Sequence, residues 1–306
     1  MRVGLSAYDI EPGELVELTA AADALGFSTV WLGEHVVLPV GYRSSHPASG
    51  SGEHDRSARP IVDPATRLVD PLVALAGCAA RTRSIRLATG IYLLPLRQPV
   101  LAARMVHTLH QLSAGRFVLG IGAGWLAEEF AAVDVPFAGR GARLEENLAV
   151  LRAALAGGPV HHTGPLHTVE GVQLCAEPAP VPVVLGGNTE RALRRAARLG
   201  DGWFCSGTPD LADAVAHRDR LLALLAEQGR TTPFPLHVRV PRAEPELLAR
   251  YRAAGFDEVV VWADQVWPAT GDLAAKRAAL AEAAQRLGVS PRPAPAAPAL
   301  PTGVLP

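Results

Sequence analysis

The sequence predicts an α/β protein folded as a single (β/α)₈ TIM barrel. Short β-branched or apolar runs alternate with longer helical patterns along the chain, as expected for parallel strands joined by crossover helices. The runs lack strict alternation of apolar and polar residues, which is typical of strands buried on both faces. Composition does not shift along the 306 residues. A single barrel is therefore favoured over a doubly wound sheet with a second domain.

The barrel strands are predicted from short runs rich in Val, Ile, Leu or aromatic residues. Glycine and polar residues bound most of these runs and mark where the strands end. In chain order, the predicted strands are Arg2–Ala7, Ser28–Leu32, Ile85–Ile91, Arg116–Ile121, Pro182–Gly187, Gly202–Ser206, Pro235–Val240 and Glu258–Trp262.

One helix is predicted after each strand. Proline stands near the first turn of several of these segments, and glycine follows the last turn of most of them, which is the usual asymmetry of helix ends. The predicted helices are Pro12–Leu25, Pro71–Thr82, Pro99–Ser113, Arg143–Ala156, Thr189–Leu199, Leu211–Glu227, Glu244–Ala254 and Asp272–Leu287.

Three segments lie outside this repeat. Val36–Asp70 is a Gly-, Ser-, Pro- and His-rich stretch of about 35 residues, well beyond the ~15-residue loops usual in compact domains. It follows the second strand, so we expect it at the active face as a mobile lid or a disordered loop. Gly157–Pro182 is expected to form an excursion with a hairpin around Thr163–Gly164. Residues 289–306 are proline-rich and expected to be disordered, which leaves residues 1–288 as the barrel domain.

Charge and hydropathy exclude several classes of partner. The net charge is -1 and the pI about 6.8, with no dense basic run, so nucleic acid is not an expected partner. No apolar run reaches the ~18 residues of a membrane span, and the first residues lack the pattern of a signal peptide. We therefore expect a cytoplasmic protein with no membrane partner. Cys78, Cys175 and Cys205 are widely spaced and set among apolar residues, which predicts reduced, buried thiols.

Polar and glycine residues follow four of the predicted strands, in the motifs WLGEH, TGIYLLP, GIGAGW and LGGNTER. The loops after barrel strands converge at one face, so these four motifs can line one pocket. In the first motif, Glu34 and His35 are adjacent and point in opposite directions if the strand continues. His35 can exchange a proton near neutral pH and is the candidate catalytic residue. The alternative is a histidine that hydrogen-bonds a loop backbone.

The glycine-rich strand ends predict a binding site for a flat ring and a phosphate. Gly122, Ala123 and Gly124 allow a ring to approach the main chain, with Trp125 as a wall, although close backbone packing explains the same residues. The motif lacks the full dinucleotide-binding spacing. The later Gly-Gly motif exposes main-chain N–H groups before a helix start, which favours an anion, with a plain turn as the alternative. Its residues are Gly186, Gly187, Asn188 and Thr189, of which Asn188 is the candidate helix cap.

Three histidines, His161, His162 and His167, lie close together in the chain. No Cys/His or carboxylate spacing completes a metal site around them, so surface histidines are favoured and no metal is expected.

The strand-end motifs together resemble the luciferase-like monooxygenase superfamily. Within it they are most similar to the actinobacterial class that uses the deazaflavin coenzyme F420. The resemblance runs from Arg2 to about Gly207. It is carried by WLGEH, LATGIYLLPLRQPVLAARMVHTLHQLSAGRFVLGIGAGWLAEEF, RGARLEENLAVLRA and PVVLGGNTERALRRAARLGDGW, in that order.

This resemblance implies a barrel of the bacterial-luciferase type that binds a flavin or deazaflavin across its carboxyl-terminal face, and a homodimer. It implies a cis peptide bond at Gly90–Ile91, behind the central ring of the cofactor. His35 aligns with the active-site histidine of F420-dependent sugar-phosphate dehydrogenases, and Glu34 with an acidic neighbour that contacts the cofactor. The remaining cofactor residues implied are Gly122, Ala123, Gly124, Gly186 and Gly187.

One departure from those dehydrogenases affects the expected substrate. Where they carry a catalytic glutamate directly after G-x-G, this chain has Trp125. The chain also nearly lacks the lysines with which such enzymes hold a substrate phosphate, although arginine can replace them. A more apolar substrate pocket, bounded by Trp125, Tyr92 and the long loop, is therefore expected.

Three functions remain open at this point. The first is hydride transfer between reduced F420 and a small organic substrate such as an imine, activated alkene or carbonyl, with His35 handling the proton. The second is monooxygenation of a substrate by reduced FMN and oxygen with a partner flavin reductase. The third is a non-catalytic paralogue that binds the coenzyme without turning it over.

Overall fold

Eight parallel strands close into a barrel in a computed structural model that describes residues 2–41, 43–44, 63 and 65–291. The order around the barrel is β1-β2-β3-β4-β7-β8-β9-β10, and β10 pairs with β1 to close it. All eight predicted strands are present; the first and the last have the predicted bounds, and the other six are shorter by one to three residues. Their bounds are β1 Arg2–Ala7, β2 Thr29–Leu32, β3 Arg86–Thr89, β4 Phe117–Ile121, β7 Val183–Gly186, β8 Gly202–Cys205, β9 Leu236–Arg239 and β10 Glu258–Trp262.

Helices surround the barrel and follow its strands. All eight predicted helices are present, and Asp70, Asp210 and Asp272 cap three of them by accepting hydrogen bonds from first-turn N–H groups. The short helix α4 was not predicted. The α-helices are α1 Pro12–Leu25, α2 Pro71–Arg81, α3 Pro99–Leu112, α4 Ala127–Ala132, α5 Arg140–Leu155, α6 Glu190–Leu199, α7 Leu211–Glu227, α8 Pro245–Ala253 and α9 Leu273–Arg286.

Two short 3₁₀-helices, Leu94–Leu96 and Ala263–Gln265, lie in loops at the carboxyl ends of β3 and β10. Among the described residues, none of the helices combines the length and apolar character needed to cross a lipid bilayer.

The excursion before β7 contains the predicted hairpin. Its strands β5 (Val160–Thr163) and β6 (Thr168–Val172) pair antiparallel, apart from the barrel. The predicted burial of the cysteines is correct for Cys78 and Cys205 but wrong for Cys175, which is exposed. Cys175 lies just after the hairpin at a positive φ of 51°, where its neighbour Leu174 supplies the buried side chain.

Much of the predicted lid and tail falls on residues 45–62 and 292–306, which lie outside the described part of the chain. The described ends of the long loop are tied to the barrel. Arg67 donates hydrogen bonds from its backbone N and from Nε to Asp9 Oδ1, at 2.9 and 3.0 Å. At the other end, Val36, Arg43 and Ser44 contact α4.

The barrel interior holds a small apolar cluster above a buried charged group. Glu258, at the start of β10, is fully buried and accepts hydrogen bonds from Trp31 Nε1 at 3.0 Å and His237 Nδ1 at 2.9 Å. Burial alone would raise the pKa of Glu258, but the hydrogen bond and charge of His237 hold that pKa well below its usual range. The apolar residues of this interior cluster are Trp31, Ala88, Val118, Val184, Phe204 and Val260.

Lys276 is the sole lysine of the chain and lies buried on α9. Its Nζ forms an ion pair with Glu14 of α1, and the same carboxylate accepts a hydrogen bond from Trp267 Nε1 at 2.7 Å. These contacts join the last helix of the barrel to the first.

Candidate active site

The carboxyl ends of β3, β4 and β7 meet at Ile91. The Gly90–Ile91 peptide bond is cis, which confirms the conformation implied by the resemblance. The Ile91 side chain lies against both neighbouring strand ends. A Cβ atom at Gly122 would approach Ile91 Cδ1 to 2.1 Å, and one at Gly186 would approach Ile91 Cγ2 to 3.0 Å. Glycine at these two positions therefore makes room for the Ile91 side chain.

Two further glycines lie just past the carboxyl ends of β4 and β7. Gly124 and Gly187 adopt positive φ angles of 78° and 117°, a region that L side chains rarely enter. A Cβ at Gly187 would also come within 2.7 Å of Ala192 Cβ. Ile91, Phe130 and Ala192 already fill the space that side chains at Gly122, Gly124 and Gly187 would take, so close packing by itself accounts for these glycines. Their role in binding a tricyclic cofactor, like that of Ala123, stays a prediction.

His35 pairs with a carboxylate that the sequence analysis did not single out. Its Nδ1 lies 3.1 Å from Oε2 of Glu129, a fully buried residue of α4, and His35 itself is buried. The other carboxylate oxygen of Glu129 accepts a hydrogen bond from the backbone N–H of Val36. Since a carboxylate accepts, His35 Nδ1 carries the hydrogen, which leaves Nε2 as the ring atom that can exchange a proton.

Two aromatic rings flank His35. Trp125 and Tyr8 lie edge-on to it, with ring centroids 5.9 and 6.4 Å away. Burial, followed by the negative charges of Glu129 and Asp9, raises the pKa of Tyr8 above its usual range, so Tyr8 is a neutral phenol. The imidazole therefore lies between an apolar wall and a buried carboxylate.

Glu34 faces the loop after β3. Its Oε2 accepts a hydrogen bond from the backbone N–H of Leu93 at 2.6 Å, and its Oε1 pairs with the guanidinium of Arg97. Burial raises the pKa of Glu34 to about 7, and the Arg97 charge and the Leu93 N–H oppose that rise without cancelling it. The carboxyl group of Glu34 is thus a weaker acid than an exposed glutamate. Its predicted contact with the cofactor stays a prediction.

Tyr92 lies beneath the Arg97 guanidinium, whose Cζ is 4.5 Å from the ring centroid. The tyrosine is only 1% exposed, so its ring is almost entirely shielded from solvent. Its place in the substrate pocket stays a prediction, as does that of Trp125.

Helix α6 starts directly after the Gly-Gly motif, but its cap differs from the one expected. Thr189 is the N-cap and accepts a hydrogen bond from the Ala192 N–H through Oγ1. Asn188 is not the cap, because its amide is paired with the backbone N–H and carbonyl of Ser206 at 2.9 Å each. Asn188 therefore ties the end of β7 to the end of β8.

Helix α4 also holds the start of the long loop. Glu128 accepts hydrogen bonds from the backbone N–H of Arg43 and from Ser44 Oγ, both at 2.6 Å. These hydrogen bonds lower the pKa of Glu128 to about 2, so it is ionised at neutral pH. The adjacent carboxylates Glu128 and Glu129 thus bind the backbone on either side of residues 37–42.

The three predicted surface histidines all lie on or beside the β5–β6 hairpin, where His161 is exposed and His162 and His167 are half-buried. His161 pairs with Glu170 and His162 with Glu146, while His167 contacts Asn147. Across the described ranges, no group of three or more His, Cys, Asp or Glu residues is arranged to hold a metal ion.

Sequence reasoning missed Glu129 and Arg97 because their partners are far away along the chain. Glu129 lies 94 positions from His35, and Arg97 lies 63 positions from Glu34. The available signal was weak: two consecutive glutamates closely follow the GIGAGW motif, and an arginine closely follows TGIYLLP.

Comparison with known proteins assigns the chain to a family. Residues 2–242 match the model of the luciferase-like monooxygenase family, so the chain belongs to it. An uncharacterised protein of Mycobacterium tuberculosis (strain ATCC 25618 / H37Rv) is 31% identical over 269 residues, covering 85% of this chain and 91% of the relative. The F420-dependent glucose-6-phosphate dehydrogenase of Beutenbergia cavernae is 29% identical over 234 residues, covering 71% and 63%.

Solved structures share the barrel. The monooxygenase RslO1 from Streptomyces bottropensis superposes with a TM-score of 0.70 at 19% identity, over 94% of this chain and 98% of that one. At this identity the likeness concerns the fold alone. The family assignment and its oxidoreductase relatives make the chain an enzyme of the oxidoreductase class, and the barrel is the fold on which it is built.

Proposed function

We propose that this protein is an F420-dependent oxidoreductase acting on a small organic substrate such as an imine, an activated alkene or a carbonyl compound. The observation that carries the proposal is the buried His35–Glu129 pair beside a glycine-lined barrel mouth. The F420-dependent relative supports the choice of cofactor. When bound, the deazaflavin supplies or accepts a hydride.

The residues that would hold the cofactor are those of the glycine-lined mouth. Ile91, which packs into the space left by Gly122 and Gly186, would support one face of the ring beside the backbone of Gly122 and Gly124. Gly187 and the amino-terminal end of α6, capped by Thr189, would face the cofactor phosphate, because backbone N–H groups at a helix start favour an anion.

His35 would move the proton that accompanies hydride transfer. Its Nε2 gives a proton to the substrate or takes one from it, while Nδ1–H stays hydrogen-bonded to Glu129. The negative charge of Glu129 stabilises the protonated imidazole and fixes its orientation, as a buried carboxylate does in other His–carboxylate pairs. Tyr8 and Trp125 limit access of water to the ring.

The experiment that tests the cofactor is a side-by-side titration of the purified protein with F420 and FMN, each oxidised and reduced, followed by fluorescence and calorimetry. Selective binding of F420 is the expected result, and screening of hydride acceptors follows from it. Selective binding of FMN contradicts the proposal, and binding with no transfer to any acceptor indicates a coenzyme-binding paralogue.

A flavin-dependent monooxygenase is the second candidate. It is favoured by the description of the matching family. The distinguishing measurement is oxygen uptake with reduced FMN in the presence of candidate substrates, which only this second function predicts.

A further inference from the structure

The loop that contacts Glu34 is held from behind by helix α5. Asn147 is buried on α5, and its Nδ2 donates hydrogen bonds to the carbonyl oxygens of Leu94 and Arg97, both at 3.0 Å. These two carbonyls belong to the 3₁₀ turn and the residue after it. One side chain thus joins the two ends of the turn, so its loss would leave two carbonyls without this donor.

The orientation of the Asn147 amide is set by the β5–β6 hairpin. His167, at the hairpin turn, lies with Nε2 2.7 Å from Asn147 Oδ1. Because Nδ2 of Asn147 faces two carbonyls, Oδ1 is the acceptor and His167 Nε2–H is the donor. A histidine donates from Nε2 both in this tautomer and when protonated, so the contact persists on either side of the histidine pKa.

The neighbouring residue of α5 fixes the histidine in turn. Glu146 accepts hydrogen bonds from the backbone N–H groups of Leu166 and His167, at 3.0 and 2.8 Å. Although burial raises the pKa of Glu146, these hydrogen bonds hold it below its usual value, so the carboxylate remains ionised near neutral pH. Glu146 and Asn147 are adjacent on α5. Glu146 therefore holds the hairpin turn, and Asn147 holds the loop after β3.

Both hydrogen-bond donors to the Glu34 carboxylate come from the loop after β3. Leu93 N–H comes from the residue just before the 3₁₀ turn, and the Arg97 guanidinium comes from the residue just after it. The distance between these two donors, and the direction in which each points, depend on the 3₁₀ turn staying closed. A series of contacts thus runs from His167 through Asn147 and the 3₁₀ turn to Glu34, which precedes His35 in the chain.

We propose that Asn147 and His167 are positioning residues for the active site, and that the hairpin, which is outside the barrel repeat, braces the loop that holds Glu34. This inference rests on the proposed function only for its effect on cofactor binding. The bracing of the loop is a property of the chain alone and is measured without cofactor.

The test compares three hairpin variants with the wild type. His167→Leu removes the donor to Asn147, and His167→Gln keeps an N–H donor at nearly the same reach. His161→Leu is the matched control, since His161 lies on the same hairpin, is exposed and pairs with Glu170 instead. The first measurement is hydrogen–deuterium exchange of peptides covering residues 91–98, and the second is the affinity for F420 as a function of pH.

His167→Leu is expected to raise exchange in residues 91–98 while the barrel strands stay protected. F420 affinity should fall about tenfold, because a loosened loop no longer presents its donors in fixed positions. With the Leu93 N–H less firmly held, the pH at which Glu34 ionisation affects binding should move upward by about half a unit. His167→Gln should largely restore all three properties, and His161→Leu should change none of them.

Unchanged exchange in His167→Leu would overturn the bracing role. Raised exchange with unchanged affinity and pH profile would overturn the positioning of the site. If the wild type binds neither F420 nor FMN, the proposed function fails, whereas the exchange result still decides whether the hairpin braces the loop.

Discussion

Neighbouring residues Glu34 and His35 are bound to different parts of the protein. Glu34 contacts the loop after β3, and His35 contacts Glu129 of α4. Side chains of consecutive residues point to opposite sides of an extended segment, so two ionisable groups can lie side by side in the chain and serve different elements. We therefore expect their substitutions to affect different properties.

Replacing His35 should affect turnover more than cofactor binding. His35→Asn removes the exchangeable proton at Nε2, and turnover with a hydride acceptor is expected to fall about 10²–10⁴-fold, the usual contribution of a general acid or base. The dissociation constant for F420 should change little. Steady-state kinetics and a binding titration on the same preparation provide the check, and unchanged turnover would remove the proton-transfer role.

Replacing Glu34 should change how stability depends on pH. Its folded-state pKa is raised to about 7 from 4.5, so the folded protein binds the proton more tightly than the unfolded chain. The contribution of Glu34 to the free energy of unfolding is therefore fully present below about pH 4.5 and is lost as the pH rises through about 7. Across that window, the free energy of unfolding of the wild type relative to Glu34→Gln should fall by on the order of 3 kcal/mol.

Urea denaturation of both proteins at several pH values between 4.5 and 8 measures that difference. A difference that stays flat or rises with pH would show that Arg97 and Leu93 hold the carboxyl ionised throughout.

At the scale of elements, the barrel strands and long helices could be predicted because their signals are local. β2, for example, is a run of four buried residues, and α7 has the predicted bounds Leu211–Glu227. Helix α4 was missed because it has only six residues and no side-chain cap. The pairing of His35 with Glu129 could not be predicted from spacing, because it depends on how the loops of β2 and β4 meet.

The close approach of β3 and β4 makes Gly120 a sensitive position. A Cβ there would lie 2.0 Å from the backbone oxygen of Thr89, which cannot rotate away. Gly120→Ala should lower the free energy of unfolding by about 3 kcal/mol, at the upper end of typical overpacking costs. Chemical denaturation measures the change, and an unaltered stability would mean that the strands separate easily.

Gly13→Ala is the matched control for that substitution. Gly13 lies in the first turn of α1, and a Cβ there would meet nothing within 4 Å. Fixing alanine in a helix costs less backbone entropy than fixing glycine. This variant should therefore be as stable as the wild type or more stable by up to about 1 kcal/mol.

At the scale of the whole molecule, closure of the barrel leaves an apolar surface on two adjacent helices. Val73 of α2 is 72% exposed and Leu101 of α3 is 65% exposed, and Met105 and Leu112 are also exposed on α3. Several large apolar side chains exposed on two helices that pack together are typical of a protein–protein contact. We propose that it is the interface of the homodimer expected from the resemblance.

Light scattering coupled to size-exclusion chromatography tests this proposal. The wild type should have the mass of a dimer, and Leu101→Glu should yield monomers because it places a charge in the interface. Leu222→Glu, an exposed leucine on α7, should leave the dimer intact. A monomeric wild type, or a Leu101→Glu variant that stays dimeric, would rule out this interface.

The ion pair between α9 and α1 limits the reaction of the protein with reagents that modify lysine side chains. Because Lys276 is the sole lysine, a reagent that acylates primary amines meets one side-chain target, and that target is buried against Glu14. Labelling there requires the last helix to part from the first. The rate of acylation at Lys276, followed by peptide mass so that the α-amine is counted separately, therefore reports opening of this seam without an introduced probe.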